Sequence, residues 1–333
     1  MDKNNWLDLV QEEILEPDLP ICDPHHHLWD YPGSRYLLHE LLSDTNSGHN
    51  IVSTVFVECG AMFRAQGPEH LKVIGETEFV QGVAAMSASG QYGNNRVASG
   101  IVSHADMTLG EGVREVLEAH RAASPNRFRG IRHAAGWHMD SDIRNSHSNP
   151  PEHLMLTDSF KEGVSVLGDM GLSFDAWFYH HQLPEFVELA KCVPQTIMIL
   201  DHFGGPLGIG PYAGEEDRVF AEWQEGVTPL KDCPNVYFKL GGINMKINGF
   251  GWHDRLQPPS SDELVEKTGR YYEYCLTTFG PARCMFESNF PVDKESCSYP
   301  VLWNAFKKMS RNLSAPERKQ VFHDNAVTVY RLE

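Results

Sequence analysis

The sequence is poor in positive charge and has no apolar run long enough to cross a membrane. Its 333 residues carry 28 Lys and Arg against 45 Asp and Glu, a formal net charge of −17. A surface this negative repels phosphate backbones and anionic lipids, so we expect neither nucleic acid nor a membrane as a partner. No apolar export segment follows Lys3. These absences predict a cytoplasmic protein that acts on a small molecule and leave self-association into a homo-oligomer open.

Paired cysteines and a dinucleotide-binding fingerprint are also missing. The seven cysteines are an odd number, lie far apart and form no Cys-x-x-Cys, which argues against a disulfide framework and a thiolate zinc site. We interpret them as reduced thiols. No Gly-rich fingerprint follows the first apolar run, which removes the commonest reason to expect an open dinucleotide-binding sheet.

Apolar, β-branched runs alternate along the chain with stretches that have the apolar spacing of helices. Strands separated by helices pair in parallel, and eight strands in a chain of this length favour a closed barrel. We therefore predict an α/β fold, a single-domain (β/α)8 TIM barrel over residues 20–333. A helical pattern at 5–15, ended by Pro17 and Pro20, predicts an N-terminal arm over residues 1–19. The predicted strands are 21–27, 51–59, 96–103, 128–133, 172–181, 196–202, 236–240 and 284–289.

The segment that ends the first predicted strand contains three consecutive histidines. In an extended chain His25 and His27 project on one face, with Asp23 below them. Two neutral imidazoles on one face can chelate one divalent ion such as Zn²⁺ or Mn²⁺. His-x-His is a weak motif alone, and a surface histidine cluster is the alternative.

Ionisable residues recur at the C-terminal ends of the other predicted strands, where barrel enzymes place their chemistry. So many at strand ends predict an active site there. They are Glu58, Arg132, His133, His180, His181, Asp201, His202, Glu287 and, with them, Asn289.

Several motifs together resemble the amidohydrolase superfamily, and more closely its lactonase-like branch, which includes pyrone-dicarboxylate lactonase and the sugar-acid lactonases. The resemblance runs from about residue 20 to the C-terminus and implies a (β/α)8 barrel that hydrolyses a lactone ring. The motifs are Asp-Pro-His-His-His-Leu-Trp-Asp at 23–30, Gly-Ile-Arg-His at 130–133, His-Gln-Leu-Pro at 181–184, Leu-Asp-His-Phe-Gly-Gly-Pro at 200–206, Phe-Lys-Leu-Gly-Gly at 238–242 and Ser-Asn-Phe-Pro-Val-Asp-Lys at 288–294.

The resemblance implies a metal set of His25, His27, His181 and His202. The family usually has an aspartate where this chain has Asn289, and an amide cannot accept a proton at neutral pH. A hydrolytic water then needs another base. His202 is a candidate if no metal uses it, because its ordinary pKa lies near neutrality, and Glu287 is a second candidate on the same strand face as Asn289.

Substrate contacts are predicted around this centre. Arg132 would help polarise the ester carbonyl. The long loop from Gly136 to Met155 is interpreted as a lid, with disorder as the alternative. The lid would bring Trp137 and His138 to the substrate, and Arg64 would receive a carboxylate. Further candidates for substrate binding are Tyr179, His180 and Lys239.

We predict a metal-dependent-type hydrolase that opens the lactone of a sugar acid or of an aromatic-degradation intermediate. The loss of the usual aspartate at Asn289 keeps a second prediction open, a decarboxylase or lyase acting on a small carboxylic acid. A non-enzymatic binding barrel is a third possibility, against which the crowding of ionisable groups at strand ends argues.

Overall fold

A computed structural model describes residues 3–332 of the chain; residue 333 of the predicted barrel and residues 1 and 2 of the predicted arm lie outside the described residues. The strands are β1 Ile21–His26, β2 Trp29–Tyr31, β3 Ser34–Tyr36, β4 Ile51–Val57, β5 Arg96–Ser103, β6 Phe128–Arg132, β7 Ser173–Ala176, β8 Met198–Leu200, β9 Val236–Leu240 and β10 Cys284–Phe286. Eight of them form one parallel sheet in the order β1-β4-β5-β6-β7-β8-β9-β10, and β2 and β3 form a separate hairpin.

The helices follow the strands around the outside of this sheet. They are α1 Lys3–Leu7, α2 Leu38–Thr45, α3 Ile74–Ala88, α4 Val113–Ala123, α5 Asp158–Asp169, α6 Leu183–Cys192, α7 Glu216–Val227, α8 Ser261–Phe279, α9 Tyr299–Met309, α10 Ala315–Lys319 and α11 Asn325–Val329. Helix α8 begins at Ser261, where Ser260 and Glu263 form a reciprocal capping box. None of the helices in the described part combines the length and apolar character needed to span a bilayer.

The sheet closes between its first and last strands just beyond β10. The amide of His27 donates to the carbonyl of Phe290 at 2.8 Å, and the amide of Asn289 donates to the carbonyl of His25 at 2.9 Å. These bonds bring the ends of β1 and β10 side by side. The predicted (β/α)8 barrel is therefore confirmed.

The C-terminal segment packs against the end of the barrel at which the strands begin. Tyr330 is fully buried there, packs with apolar residues such as Val55 and Val102, and donates its hydroxyl to Asp175 inside the barrel. The opposite end, where the strands finish, is left for polar side chains.

Several predicted boundaries were wrong at the strand ends. The strand predicted over 172–181 ends at Ala176, and that predicted over 196–202 ends at Leu200. The predicted strand 284–289 ends at Phe286, since Asn289 takes the left-handed conformation with φ 56°. In the arm, helix α1 stops at Leu7, and the rest of the predicted helix 5–15 is non-helical. The β2–β3 hairpin and α2 were not predicted.

Candidate active site

His25 occupies the centre of a buried polar cluster at the C-terminal end of the barrel. Its Nδ1 lies 2.8 Å from Oε2 of Glu287 and 3.2 Å from Nζ of Lys239. Its ring is 4.4 Å from that of His202 and 4.9 Å from that of His27, centroid to centroid. The barrel thus gathers side chains from the first, sixth, seventh and eighth of its strands.

Glu287 holds His202 in one orientation. Oε1 of Glu287 lies 2.6 Å from Nδ1 of His202 and accepts the backbone N–H of the same residue at 3.2 Å. His202 follows β8 in the left-handed conformation, with φ 52° and ψ 43°. The space beside it exists because residue 242 is glycine, since a Cβ on Gly242 would overlap the His202 ring.

The charge of Glu287 is stabilised by its neighbours. Burial alone would raise its pKa, but the imidazoles of His202 and His25 lower the pKa to about 2. Burial and the charge of Lys239 lower the pKa of His25 well below its ordinary value. At neutral pH the pair is therefore a Glu287 carboxylate facing a neutral His25 ring.

Lys239 lies below the histidines and is fully buried. Its Nζ is 2.7 Å from Oδ2 of Asp175 and 3.1 Å from Oδ1 of Asp201. Burial alone would lower the pKa of Lys239, but Asp175, Asp201 and Glu287 raise it above its ordinary value. The ammonium is thus a fixed internal cation, inaccessible to a substrate.

Arg132 is the second internal cation. Its Nε donates to Oε1 of Glu58 at 2.7 Å, and a terminal nitrogen donates to the Glu58 carbonyl. Another terminal nitrogen lies 3.4 Å from Nε2 of His25 and 3.6 Å from Oδ2 of Asp201. The guanidinium therefore joins the second barrel strand to the histidine cluster.

The residues His25, His202 and Glu287 fit a divalent cation. One ligand atom from each lies within 4.8 Å of the others, and two imidazoles with a carboxylate are a donor set that Zn²⁺ accepts. Oε2 of Glu287 and both oxygens of Asp201 are buried and accept no well-formed hydrogen bond, although His25 and Lys239 lie within ion-pair distance.

The charge balance of the buried cluster also favours a bound divalent cation. Four carboxylates face two cations, which leaves two negative charges in excess when the histidines are neutral. Buried charge without a partner is costly, and a divalent ion would neutralise this excess. The carboxylates are those of Glu58, Asp175, Asp201 and Glu287, and the cations are Arg132 and Lys239.

Residues 22–332 match the family model described as Amidohydrolase. The chain belongs to the amidohydrolase family. It is 33% identical over 337 residues to the uncharacterized protein y4mH of Sinorhizobium fredii, covering 95% of this chain and 99% of that protein. It is also 27% identical over 178 residues to L-fucono-1,5-lactonase of Burkholderia multivorans, covering 52% of this chain and 56% of that enzyme.

A solved structure with the same fold is an amidohydrolase from Burkholderia multivorans with bound zinc. It is 22% identical, has a TM-score of 0.70, and the alignment covers 94% of this chain and 99% of that one. The match of residues 22–332 to the family model confirms the family indicated by the motifs of the sequence.

The four histidines expected to bind metal are not all brought together in this amidohydrolase. His25 and His202 lie together with Glu287, and the ring of His27 lies beside them, 4.9 Å from that of His25. Nδ1 of His27 lies 2.8 Å from the carbonyl of Val57, which places the ring proton there and leaves Nε2 available to a metal. His181 is exposed on a 3-10 turn, because β7 has already ended and alternation no longer directs its side chain inward.

Most of the expected substrate-binding residues lie on one side of the mouth. His138 packs against His181 and Tyr212, and His180 also contacts Tyr212. Trp137 donates its amide to the side chain of Gln182, and Tyr179 donates its hydroxyl to the carbonyl of Arg144. Their contact with a substrate remains a prediction.

Arg64 and Lys239 are placed differently from that expectation. Arg64 is exposed and forms an ion pair with Glu78 of α3, its Nε donating to Oε2 at 3.0 Å. Lys239 is enclosed by carboxylates in the barrel. Neither side chain presents an unpaired cation to the mouth.

Asn289 is buried beside the histidines and is paired through its amide group. Its Nδ2 donates to Oδ1 of Asp293 at 2.9 Å, and its Oδ1 accepts no hydrogen bond from the described residues. Asp293 also accepts the amide of Asn244 at 3.1 Å. The position that the family usually fills with an acid is thus an amide held by a nearby acid.

Some residues of the site were not predicted from the sequence. Asp175 carried a weak signal, an acidic residue inside an apolar strand. Trp177 packs its ring 4.9 Å from that of His202 and covers it, and His147 crosses the mouth from the long loop to reach Glu58. His147 had no sequence signal, because the path of a loop without periodicity is not encoded in residue spacing.

Proposed function

We propose that this amidohydrolase opens a lactone by water attack, with His202 as the general base. The observation that carries the proposal is the 2.6 Å contact between Nδ1 of His202 and Oε1 of Glu287. A carboxylate at this distance places the ring proton on Nδ1 and leaves the lone pair on Nε2. His202 can then take a proton from water, a role that Asn289 cannot fill.

The positive groups of the chain act mainly by positioning. Arg132 fixes Glu58 and approaches His25, while Lys239 fixes Asp175 and Asp201 beneath the histidines. A divalent ion such as Zn²⁺ or Mn²⁺, held by His25, His202 and Glu287, would supply a Lewis acid for the ester carbonyl. One imidazole cannot be ligand and base at once, so activity with and without the ion reports which role His202 plays.

The loss of the usual acid at Asn289 favours decarboxylation as a second candidate. Such a substrate is an anion and needs a cation to receive it. Among the described residues, the two cations that touch the cluster are both committed to carboxylates. When no divalent ion is bound, this supports an uncharged lactone over a small carboxylic acid.

A pH-indicator assay separates the two reactions. Lactone opening releases a proton at neutral pH, whereas decarboxylation consumes one, so the sign of the pH change identifies the chemistry. The panel should contain sugar-acid lactones, aromatic lactones and aromatic carboxylic acids, each assayed before and after treatment with a chelator. We expect acidification with at least one lactone.

The variant His202→Ala tests the assigned base. We expect turnover to fall by about 10²-fold or more, the usual contribution of a general base. His70→Ala is the matched control, because His70 is an exposed histidine paired with Glu115. Proton uptake with a carboxylic acid, together with no reaction of any lactone, would show that the protein is a decarboxylase and not a lactonase.

A further inference from the structure

A second group of possible metal ligands lies on the other side of Arg132. Glu58 follows β4, His104 follows β5, and His147 belongs to the loop between β6 and α5. One ligand atom from each lies within 4.8 Å of the others. We propose that Glu58, His104 and His147 form a second site for a borderline divalent cation such as Zn²⁺, and that the ion fastens the loop to the barrel.

The carboxylate of this group is already oriented. Oε1 of Glu58 is held by Nε of Arg132 at 2.7 Å, so the side chain cannot rotate freely. Oε2 faces away from that bond and lies 3.0 Å from Nε2 of His147. Glu58 is fully buried, whereas the His147 side chain is 38% exposed, so an ion can enter from the solvent side.

His104 has the hydrogen-bond pattern of a metal ligand. Its Nδ1 lies 3.2 Å from the carbonyl of Arg132, which can only accept, so Nδ1 carries the proton. The lone pair is then on Nε2. A backbone carbonyl that fixes the tautomer in this way is the usual outer support of a histidine ligand. Two imidazoles and one carboxylate leave a fourth zinc position for water.

The positive charge of Arg132 opposes cation binding and must be offset. The guanidinium lies 2.7 Å from Glu58 and 3.6 Å from Asp201, so two carboxylates share its charge. We expect the second site to bind more weakly than the group of His25, His202 and Glu287 for this reason. The two groups have no residue in common, and the proposal does not depend on the reaction catalysed.

The ion would add an anchor to the loop at His147. His147 bonds to Glu58, and neighbouring Ser148 donates its hydroxyl to the carbonyl of Ala134. Arg144, three residues before His147, is exposed and offers a trypsin site on the same loop. Binding at His147 should therefore slow cleavage after Arg144.

The test is zinc titration of the metal-free protein, with bound zinc counted by elemental analysis after gel filtration. We expect one equivalent that is lost in both His104→Ala and His147→Ala and kept in His202→Ala. The matched control is His153→Ala, because His153 is an exposed histidine of the same loop that pairs with Glu185. It should bind as much zinc as the wild type.

Trypsin digestion supplies a second readout. Zinc should slow cleavage after Arg144 several-fold in the wild type and in His153→Ala, and should have no effect in His147→Ala. Equal zinc content in the wild type, His104→Ala and His147→Ala would overturn the second site. Zinc binding with unchanged cleavage at Arg144 would overturn the fastening of the loop.

Discussion

At the scale of single residues, Glu287 decides how His202 can act. The carboxylate fixes both the ring orientation and the position of the proton through the 2.6 Å contact. In Glu287→Gln the amide keeps the shape but loses the charge that favours a proton on Nδ1. We expect kcat to fall by about 10²-fold, with KM changed little, because the base rather than substrate binding is impaired.

Steady-state kinetics on the best lactone of the panel measures this effect. Glu273→Gln is the control, since Glu273 is an exposed glutamate on α8. Unchanged kcat in Glu287→Gln would remove the assigned pair. A large rise in KM with unchanged kcat would instead indicate that Glu287 acts in substrate binding.

Asn289 and Asp293 form a matched donor and acceptor at residue scale. Burial raises the pKa of Asp293 to about 7, against the lowering effects of His202 and the Asn289 amide. In Asn289→Asp two carboxyl groups would stand about 2.9 Å apart, and both cannot be ionised cheaply. We expect the free energy of unfolding to fall by several kcal/mol at pH 8 and by less at pH 5, where the pair shares a proton.

The exchanged variant Asn289→Asp/Asp293→Asn is the control, because it restores one amide facing one carboxyl group. Urea denaturation at both pH values compares the three proteins. Recovery of stability in the exchanged variant is the expected result. An Asn289→Asp protein as stable as the wild type at pH 8 would show that the pair is not coupled.

At the scale of elements, a carboxyl group fastens α3 to the end of β4. Oε1 of Glu76 accepts the amides of Cys59 at 3.1 Å and Ala61 at 2.8 Å, while Oε2 is buried and accepts no hydrogen bond from residues 3–332. Burial, with a contribution from Glu58, raises the pKa of Glu76 to about 8. The folded protein therefore holds this proton across the neutral range.

The raised pKa of Glu76 makes the stability of the folded protein depend on pH. The unfolded carboxyl group loses its proton near its ordinary value of 4.5, so this residue favours folding least once the pH exceeds about 8. Its contribution to stability should decline by up to about 1.4 kcal/mol per pH unit between these values. Glu76→Gln keeps the acceptor oxygen and should remove the decline. Unfolding free energies measured from pH 5 to pH 9 compare the two proteins, and parallel curves would contradict the assignment.

The elements that could be predicted from sequence are those with a long periodic pattern. The strands Arg96–Ser103 and Val236–Leu240 begin and end where predicted. The errors fall where strands stop. Residues after Ala176 and Leu200 look like strand by composition, but they turn away to line the mouth, and His202 and Asn289 do so with positive φ. Apolar periodicity contains no information about such turns.

In the candidate site, the residues at strand ends were predictable from the sequence and those on loops were not. His25, His202, Glu287 and Arg132 stand directly at strand ends, so the barrel topology alone brings them together. His181 was misplaced because its direction was extrapolated along a strand that had ended. His147 and the pairing of Asn289 with Asp293 depend on loop paths and on contacts between distant segments. Neither contact can be predicted from the spacing of residues in a single sequence.

At the scale of the whole molecule, the arm and the barrel are joined through α9. Lys307 is almost fully buried, and its Nζ donates to the carbonyls of Leu15 at 2.7 Å and Glu16 at 2.9 Å. Asn304 donates to Glu12 and to the carbonyl of Glu13. Residues 11–18 of the arm form no helix or strand, so these side chains bond to its backbone instead.

This arrangement predicts that the arm and barrel unfold as one cooperative unit. Lys307→Met preserves side-chain length but removes the donor from two partly exposed carbonyls, each hydrogen bond contributing about 1 kcal/mol. Lys308→Met is the matched control, because Lys308 forms only a surface ion pair with Asp262, worth at most about 1 kcal/mol. Urea denaturation followed by tryptophan fluorescence and by circular dichroism should give coincident transitions, shifted to lower urea in Lys307→Met and nearly unshifted in Lys308→Met. Transitions that separate between the two probes would show instead that the arm detaches before the barrel unfolds.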